Sequence, residues 1–575
     1  MELNQLTSTL VSCVFFMGIV AWVSYQKTKG IADTKEGYFL AGRGLTGVFI
    51  AGSMVLTNLS AEHLIGLNGS AYGHNMSSMA WEVTATIATI VMALVFLPRY
   101  LSGAFTTLPQ FLSSRFGDDV RRMTVVLFMV GYGLITIPSV LYSGSIAVLQ
   151  LFDIPNLFNI SYSSGLTLTI VCVGMIGAVY AVFGGLKAVA VSDTLNGIGL
   201  LIIGITVPVF GFIALGDGDL GAGVNQVLTT HTEKLNAIGG PTDPTPFGTL
   251  FTGMIFANLF YWGTNQYVIQ RTLGAASLAE GQKGVLYSGY FKLLVPFFMM
   301  VPGVIAFHLY GGQLQSIDLA YPQLVKNVLP VYMSGFFLAV LLGAVFSSFN
   351  SLLNSAATLF VLDIYQPYKN TSLSDQQLIK VAKIASVVIA LFSFVVSPLL
   401  QFAPEGLFQI IRIFTGFYNI PVITVVLVGL FTKHVPGFAA KVVICFHVVA
   451  YAILKFVIDV DINFIHIYGL LFVIEMTIML VIGYWMPLEK PWKLTNNSKV
   501  DMTPWTYGLP LSITMVSCVI IIYLLFSPIG LVNGLSPAFW PAVSSVVVIN
   551  GLLCWLSLKY WHKKYRRKLD NTIAH

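Results

Sequence analysis

The chain has 575 residues, 56% of them hydrophobic and only 9% charged, with a mean hydropathy of +0.81 and a net charge of +6. Soluble domains carry about a quarter charged residues, so this composition argues against a soluble enzyme and places the chain in lipid. The cations fall in loops and a tail, which reads as membrane topology and not as a nucleic-acid surface.

About 20 apolar residues cross the hydrocarbon of a bilayer. In chain order this rule gives fifteen predicted spans, near 7–25, 45–70, 76–98, 121–152, 165–184, 188–215, 250–272, 284–309, 331–364, 377–403, 405–432, 435–456, 463–486, 506–529 and 536–560. The first run, from Thr7 to Tyr25, lacks a basic leader and a small-residue cleavage site, and reads as a retained span. Five cysteines, Cys13, Cys172, Cys445, Cys518 and Cys554, all lie in apolar runs, without metal spacing or a disulfide framework.

Alternate loops differ sharply in Lys and Arg. One set, which includes Arg43, Arg115, Arg121, Arg271 and the C-terminal tail, holds 25 cations; the other holds Lys234, Lys326 and Lys455. This bias places the N-terminus outside and the tail in the cytoplasm, in a cell (inner) membrane. Two cations remain, Lys292 and Arg412, both deep in predicted spans. An ionised side chain there costs at least ~2.5–3.5 kcal/mol. Glu62, Glu82, Asp193 and Glu475 also fall within or near the ends of spans. Intramembrane charge of both signs pairs between helices or lines a wet cavity, and several such groups in one bundle point to a solute path.

The second span is interrupted by Thr57-Asn58-Leu59-Ser60-Ala61-Glu62-His63, followed by Gly66, Asn68, Gly69 and Ser70. The seventh repeats the theme at Asn258-Leu259-Phe260-Tyr261-Trp262-Gly263-Thr264-Asn265-Gln266. Unwound backbone at membrane depth is tolerated only where it lines a protein cavity. Each interruption opens a block of five spans, 45–215 and 250–432, and an odd number of spans inverts the second block against the first. That is the inverted-repeat plan of secondary transporters. Around the blocks lie an N-terminal helix and loop (1–44), further helices (433–560) and a basic tail (561–575).

At these residues the chain resembles the sodium/solute symporter family, and most closely its bacterial sodium/galactose branch, which is related to the animal sodium/glucose cotransporters. The resemblance is dense over 36–432. It rests on Gly37-Tyr38-Phe39-Leu40-Ala41-Gly42-Arg43, Asn58-Leu59-Ser60-Ala61-Glu62, Thr107-Leu108-Pro109-Gln110-Phe111-Leu112 and Gly184-Gly185-Leu186-Lys187-Ala188-Val189. It continues through Tyr261 to Gln266, Gln270-Arg271-Thr272, Ser347-Ser348 and Leu353-Asn354-Ser355. The resemblance implies an all-α membrane protein of the LeuT type, with an inverted five-helix repeat, one extra N-terminal helix and about four extra C-terminal helices. It implies Na⁺ as coupling ion, held between the second and ninth spans by the hydroxyls of Ser347 and Ser348 and the carbonyls of Leu56, Leu59 and Ala344. Asp193 matches an acid on the sodium exit path.

For the solute, the resemblance carries over Asn58, Glu82, Asn258 and Lys292, with Tyr261 and Trp262 as an aromatic face and Phe408 as an outer gate. Glu62 and Asn265, from the two breaks, join this set. Such groups suit a sugar: amides and carboxylates take hydroxyl hydrogens, a lysine donates to oxygens, and a ring covers the C–H face. His63 stands where the galactose carrier has Gln and animal glucose carriers have His. Two residues depart from the branch. Ala85 replaces a Ser, and Arg412 replaces a Gln. A buried guanidinium needs an anion. Satisfied by Glu62 or Glu82, it leaves a neutral hexose or polyol as substrate; unsatisfied, it leaves room for an acidic sugar or other carboxylate-bearing solute. No catalytic motif is present, and a sensor would normally add a soluble domain.

Overall fold

The computed structural model describes residues 3–28, 34–183, 186–369, 373–402, 407–458 and 460–561. Lys29, Gly184, Gly185 and the basic tail beyond Trp561 therefore lie outside the described residues. The regular elements of the described residues are all helices, and two isolated bridges, Leu45 with Ala275 and Ser277 with Asp501, are the only strand-like pairings among them.

The long helices are α1 (Leu3–Thr28), α2 (Gly47–Asn58), α3 (Ala61–Gly73), α4 (Met76–Gly103), α5 (Asp118–Phe152), α6 (Tyr162–Phe183) and α7 (Leu186–Leu215). They continue with α8 (Met254–Gly263), α9 (Gln266–Leu273), α10 (Leu278–Tyr310), α11 (Val331–Lys369), α12 (Asp375–Phe402) and α13 (Phe408–Phe431). The last four are α14 (Gly437–Val457), α15 (Phe464–Trp485), α16 (Gly508–Leu525) and α17 (Phe539–Trp561). Among the described residues, 12 helices are long and apolar enough to cross a membrane, and the bent pair α2–α3 makes a thirteenth candidate. Helix α6 and the pair α8–α9 occupy the two remaining predicted stretches.

Both interruptions are real breaks with a local cause. The Leu59 N–H still closes on the Val55 carbonyl at 2.7 Å, but the Ser60 N–H turns to Asn58 O at 2.9 Å. The ladder stops there and α3 departs at 57°, so the carbonyls at the end of α2 are left for other partners. In the second break the N–H groups of Thr264 and Asn265 both point at Phe260 O, each at 2.9 Å. The Gly263 carbonyl, freed by this, accepts from the Tyr100 hydroxyl at 2.9 Å.

Helix α11 is the central one, with 89% of its apolar window buried, whereas α17 has 6% and lies on the rim. Around the first break α2 packs against α7 and α10. Small residues let the backbones close up, as membrane helices require. A Cβ on Gly52 would stand 2.5 Å from Thr194, and one on Gly284 would stand 2.5 Å from Ile50.

Three of the cations assigned to loops by sequence, Arg115, Arg271 and Lys234, are buried. Arg115 is 4% exposed and Arg271 fully enclosed. Arg115 donates to the carbonyls of Gly429, Thr432 and Val435, capping the end of α13 where free carbonyls gather. Arg271 ends α9, a short helix that runs back into the bundle after the break, so its guanidinium lands among polar groups of α2 and α11. On the side assigned as outer, Lys234 donates to Tyr72 O at the end of α3 at 2.9 Å and lies 4.0 Å over the Phe307 ring. Burial holds its ammonium below the ordinary lysine value.

Candidate substrate and sodium sites

The region expected to hold sodium forms where α11 crosses the end of α2. Ser348 Oγ donates to Leu56 O at 3.1 Å and lies 3.3 Å from Thr57 O. These are carbonyls left over by the break, hard oxygen donors of the kind a small cation prefers. Ser347 is buried one position away, Ala344 lies one helical turn earlier on α11, and Leu59 caps α2. Thr57 O is a member that the sequence reading did not name. Behind this point Ser53 Oγ donates to Asp193 Oδ2 at 2.6 Å, and Arg271 Nε donates to Ser53 Oγ at 2.9 Å while its terminal nitrogen reaches Ser351. Asp193 is thus linked through Ser53 to the fixed cation of Arg271.

The residues expected to take the solute form one connected cluster, although they come from separate helices. Lys292 of α10 donates to Glu82 of α4 and sits 5.2 Å over the Trp262 ring of α8. The His63 ring lies between the acids, its Nδ1 3.6 Å from Glu62 Oε1 and its Nε2 3.4 Å from Glu82 Oε1. The same Nε2 is 3.3 Å from the Arg412 guanidinium. Glu62 also accepts from Ser139 at 3.1 Å. Asn258 donates to Thr84 at 2.9 Å, and Asn265 accepts from Tyr132 at 2.5 Å. Asn58 borders Tyr261, whose hydroxyl meets that of Tyr267 at 2.9 Å.

Arg412 is the exception to the expected pairing. Among the described residues no carboxylate lies within ion-pair distance of it and its Nε has no hydrogen-bond partner. Its guanidinium instead lies between two rings, 4.9 Å from that of Trp81 and 4.7 Å from that of Phe408. The acids are reached only through His63. Cation–π contacts stabilise such a group by roughly 0.5–2 kcal/mol, less than an anion at contact would.

A cavity of about 30 Å³ at the centre is lined by Glu62, Trp81, Asn258, Tyr261, Asn265 and Arg412, with Thr136, Thr415, Tyr418 and Asn419. Pockets that hold small ligands run from about 300 Å³ upward, so the site is closed in this conformation. A second cavity of about 940 Å³, with His74, Asp243, Asp461 and His466 in its wall, ends on Phe408. Phe408 lines this larger cavity, and its ring meets those of His63 and Trp81, with centroids 6.0 and 6.5 Å away. The sequence reading missed Trp81, Thr84, Tyr132 and Ser139, which nothing in the local pattern marks. It also missed Thr415, Tyr418 and Asn419, which follow Arg412 at helical spacing and were findable from that alone.

All-helical architecture with two interrupted helices meeting beside buried charge defines a secondary transporter. One solved structure, of a Na⁺-coupled sialic acid symporter, shares the fold with a TM-score of 0.73 at 20% identity, covering 84% of this chain and 98% of that one. This is the LeuT-type fold. Residues 38–440 match the model of the Sodium:solute symporter family. The chain is 42% identical over 562 residues to the uncharacterized symporter YidK of Escherichia coli (strain K12), covering 97% of this chain and 96% of that one. It is 33% identical over 440 residues to the sodium/glucose cotransporter of Vibrio parahaemolyticus, covering 72% and 78%. The human sodium/myo-inositol cotransporter 2 is 30% identical over 457 residues, covering 74% and 66%. The chain belongs to the sodium:solute symporter family, a family of transporters. It is a multi-pass membrane protein, and Na⁺ is its coupling ion.

Proposed function

We propose that this symporter imports a neutral sugar or polyol, bound by the cluster of Asn58, Glu62, His63, Glu82, Asn258, Tyr261, Trp262, Asn265, Lys292 and Arg412, with Phe408 closing the site from the outside. The observation that carries this reading is the gathering of two acids, Glu62 and Glu82, and two cations, Lys292 and Arg412, around one cavity, so that the site needs no charge from its substrate. A hydroxyl is both donor and acceptor. A sugar with neighbouring hydroxyls donates to Glu62, accepts from Arg412 and leaves the site's charge balanced. Relatives named for glucose and myo-inositol support the same class. Sodium binds at Ser347, Ser348, Leu56, Leu59 and Ala344, joining the two five-crossing blocks, 45–215 and 250–432, and leaves past Asp193.

The unpartnered Nε of Arg412 favours a second reading, in which the substrate is an acidic sugar whose carboxylate takes the guanidinium fork. Arg412→Gln separates the two. A carrier of neutral sugars keeps uptake of D-glucose within about tenfold, because Gln still donates to a hydroxyl. A carrier of acids loses affinity for its substrate by two orders of magnitude or more, about 3 kcal/mol. Competition by D-glucuronate stronger than by D-glucose overturns the neutral reading.

The Lys and Arg asymmetry of alternate loops supports an orientation with the N-terminus outside and the tail inside. Single cysteines at Asn4 and Asn571, in a background without native cysteines, are treated with an impermeant thiol reagent. Position 4 is expected to react from outside and position 571 only after permeabilisation; the reverse pattern contradicts the orientation.

A further inference from the structure

The helices after the second block carry a buried polar cluster that neither the solute nor the sodium site uses. His447 of α14 and Glu475 of α15 are both fully enclosed, with His447 Nδ1 2.5 Å from Glu475 Oε1. His447 Nε2 lies 2.9 Å from Gly416 O of α13. A carbonyl only accepts, so Nε2 donates to Gly416 O while Nδ1 faces the carboxylate. The other oxygen, Glu475 Oε2, accepts from Thr424 of α13 at 3.1 Å. Two tyrosines reach the same helix. Tyr451 of α14 donates to Ile413 O at 2.7 Å, and Tyr468 of α15 donates to Arg412 O.

These contacts fall on one stripe of α13. At about 100° per residue, Ile413, Gly416 and Thr424 share a face, Ile411, Thr415, Tyr418 and Asn419 share the adjoining one, and Arg412 lies on the seam. The second face is the wall of the central cavity. Gly416 permits the approach, since a Cβ there would stand 2.5 Å from the Tyr468 ring. The helix also contains Pro421, which removes one rung of its ladder. The side-chain contacts at 412, 413 and 416 on one side and at 424 on the other straddle that weak point.

We infer that α14 and α15 are a positioning device for the solute-facing helix: His447, locked by Glu475, together with Tyr451 and Tyr468, holds α13 by three of its backbone carbonyls and so fixes where Arg412 and Thr415 stand in the cavity. The inference rests on the reading that this face of α13 takes the solute. The helix stays continuous past these carbonyls, and Arg412 O accepts from the Thr415 hydroxyl at 3.1 Å as well as from Tyr468, so the tie restrains the helix without breaking it. Glu475 acts on this part of α13 through His447, and its direct bond to the helix, from Thr424, lies beyond Pro421 and away from the cavity.

The test uses the full-length protein in proteoliposomes, without native cysteines, carrying one reporter cysteine in place of Thr415 or, separately, of Ala257 on α8. The probe is the rate of modification by 2-aminoethyl methanethiosulfonate, which needs no sugar, so failure of the sugar reading leaves this experiment intact. Tyr451→Phe, Tyr468→Phe and His447→Leu are each expected to speed modification at 415 tenfold or more and to leave 257 within twofold. Glu475→Gln, whose amide still meets the ring, is expected to stay within twofold at both. Should His447→Leu fail to fold, the two tyrosine variants, each lacking one hydroxyl, decide. Unchanged rates at 415, or equal acceleration at 415 and 257, overturn the inference.

Discussion

Lys292→Ala is expected to raise the sugar concentration for half-maximal uptake by two orders of magnitude or more while leaving the sodium dependence within a few-fold. Lys292 is 1% exposed and its ammonium donates to Glu82, itself 2% exposed. Removing one partner of a buried pair strands the other charge, at a cost of about 3–5 kcal/mol, beyond the lost contact to the sugar. That cost falls on stability and comes in addition to an affinity loss at the upper end of the roughly 10- to 150-fold expected for removing one hydrogen bond to a charged group. The double variant Lys292→Ala, Glu82→Ala removes the stranded carboxylate. It should regain thermal stability without regaining transport, because stability and sugar contact are lost through different parts of the same pair. Sugar affinity unchanged in Lys292→Ala, Glu82→Ala, Asn58→Ala and Asn258→Ala alike would remove the cluster from the binding site.

The second large effect is expected at Ser348. Its hydroxyl already sits among the carbonyls of Leu56 and Thr57, in a place a cation would share with it. Ser348→Ala deletes one hard donor and is expected to raise the half-saturating sodium concentration tenfold or more, with sugar affinity reduced only at limiting sodium. Ser348→Thr keeps the hydroxyl and should restore most of the loss. Sodium-dependence curves at saturating sugar measure both. Overlapping curves for the Ala variant and the parent protein would place the ion elsewhere.

Much of this arrangement was legible before any coordinates. Long apolar runs announce membrane helices, since a bilayer core dictates their length. The breaks at Asn58 and Asn265 stand out because polar groups cluster where lipid forbids them. Intramembrane charges at Glu82 and Lys292 were visible for the same reason, and they do meet. What was not legible depends on where a chain turns back. Arg115 and Arg271 follow apolar runs and so read as loop residues, yet the short helices that carry them fold inward and bury both. The sequence left open whether Glu62 or Glu82 satisfies Arg412; the bundle gives those acids to Ser139, His63 and Lys292 and sets the guanidinium against the rings of Trp81 and Phe408. Glu475 was visible as an intramembrane acid, whereas His447, 28 positions earlier on another helix, carries no local mark of being its partner.

The most direct test of sodium-coupled sugar import is accumulation in proteoliposomes holding the purified full-length protein, with D-glucose, D-galactose and myo-inositol offered in turn under an inward sodium gradient. At least one of them should accumulate transiently above its external concentration, faster with an inside-negative potential, and fall to simple equilibration when choline replaces sodium. Equal uptake of all three in choline and sodium, without response to potential, would contradict it.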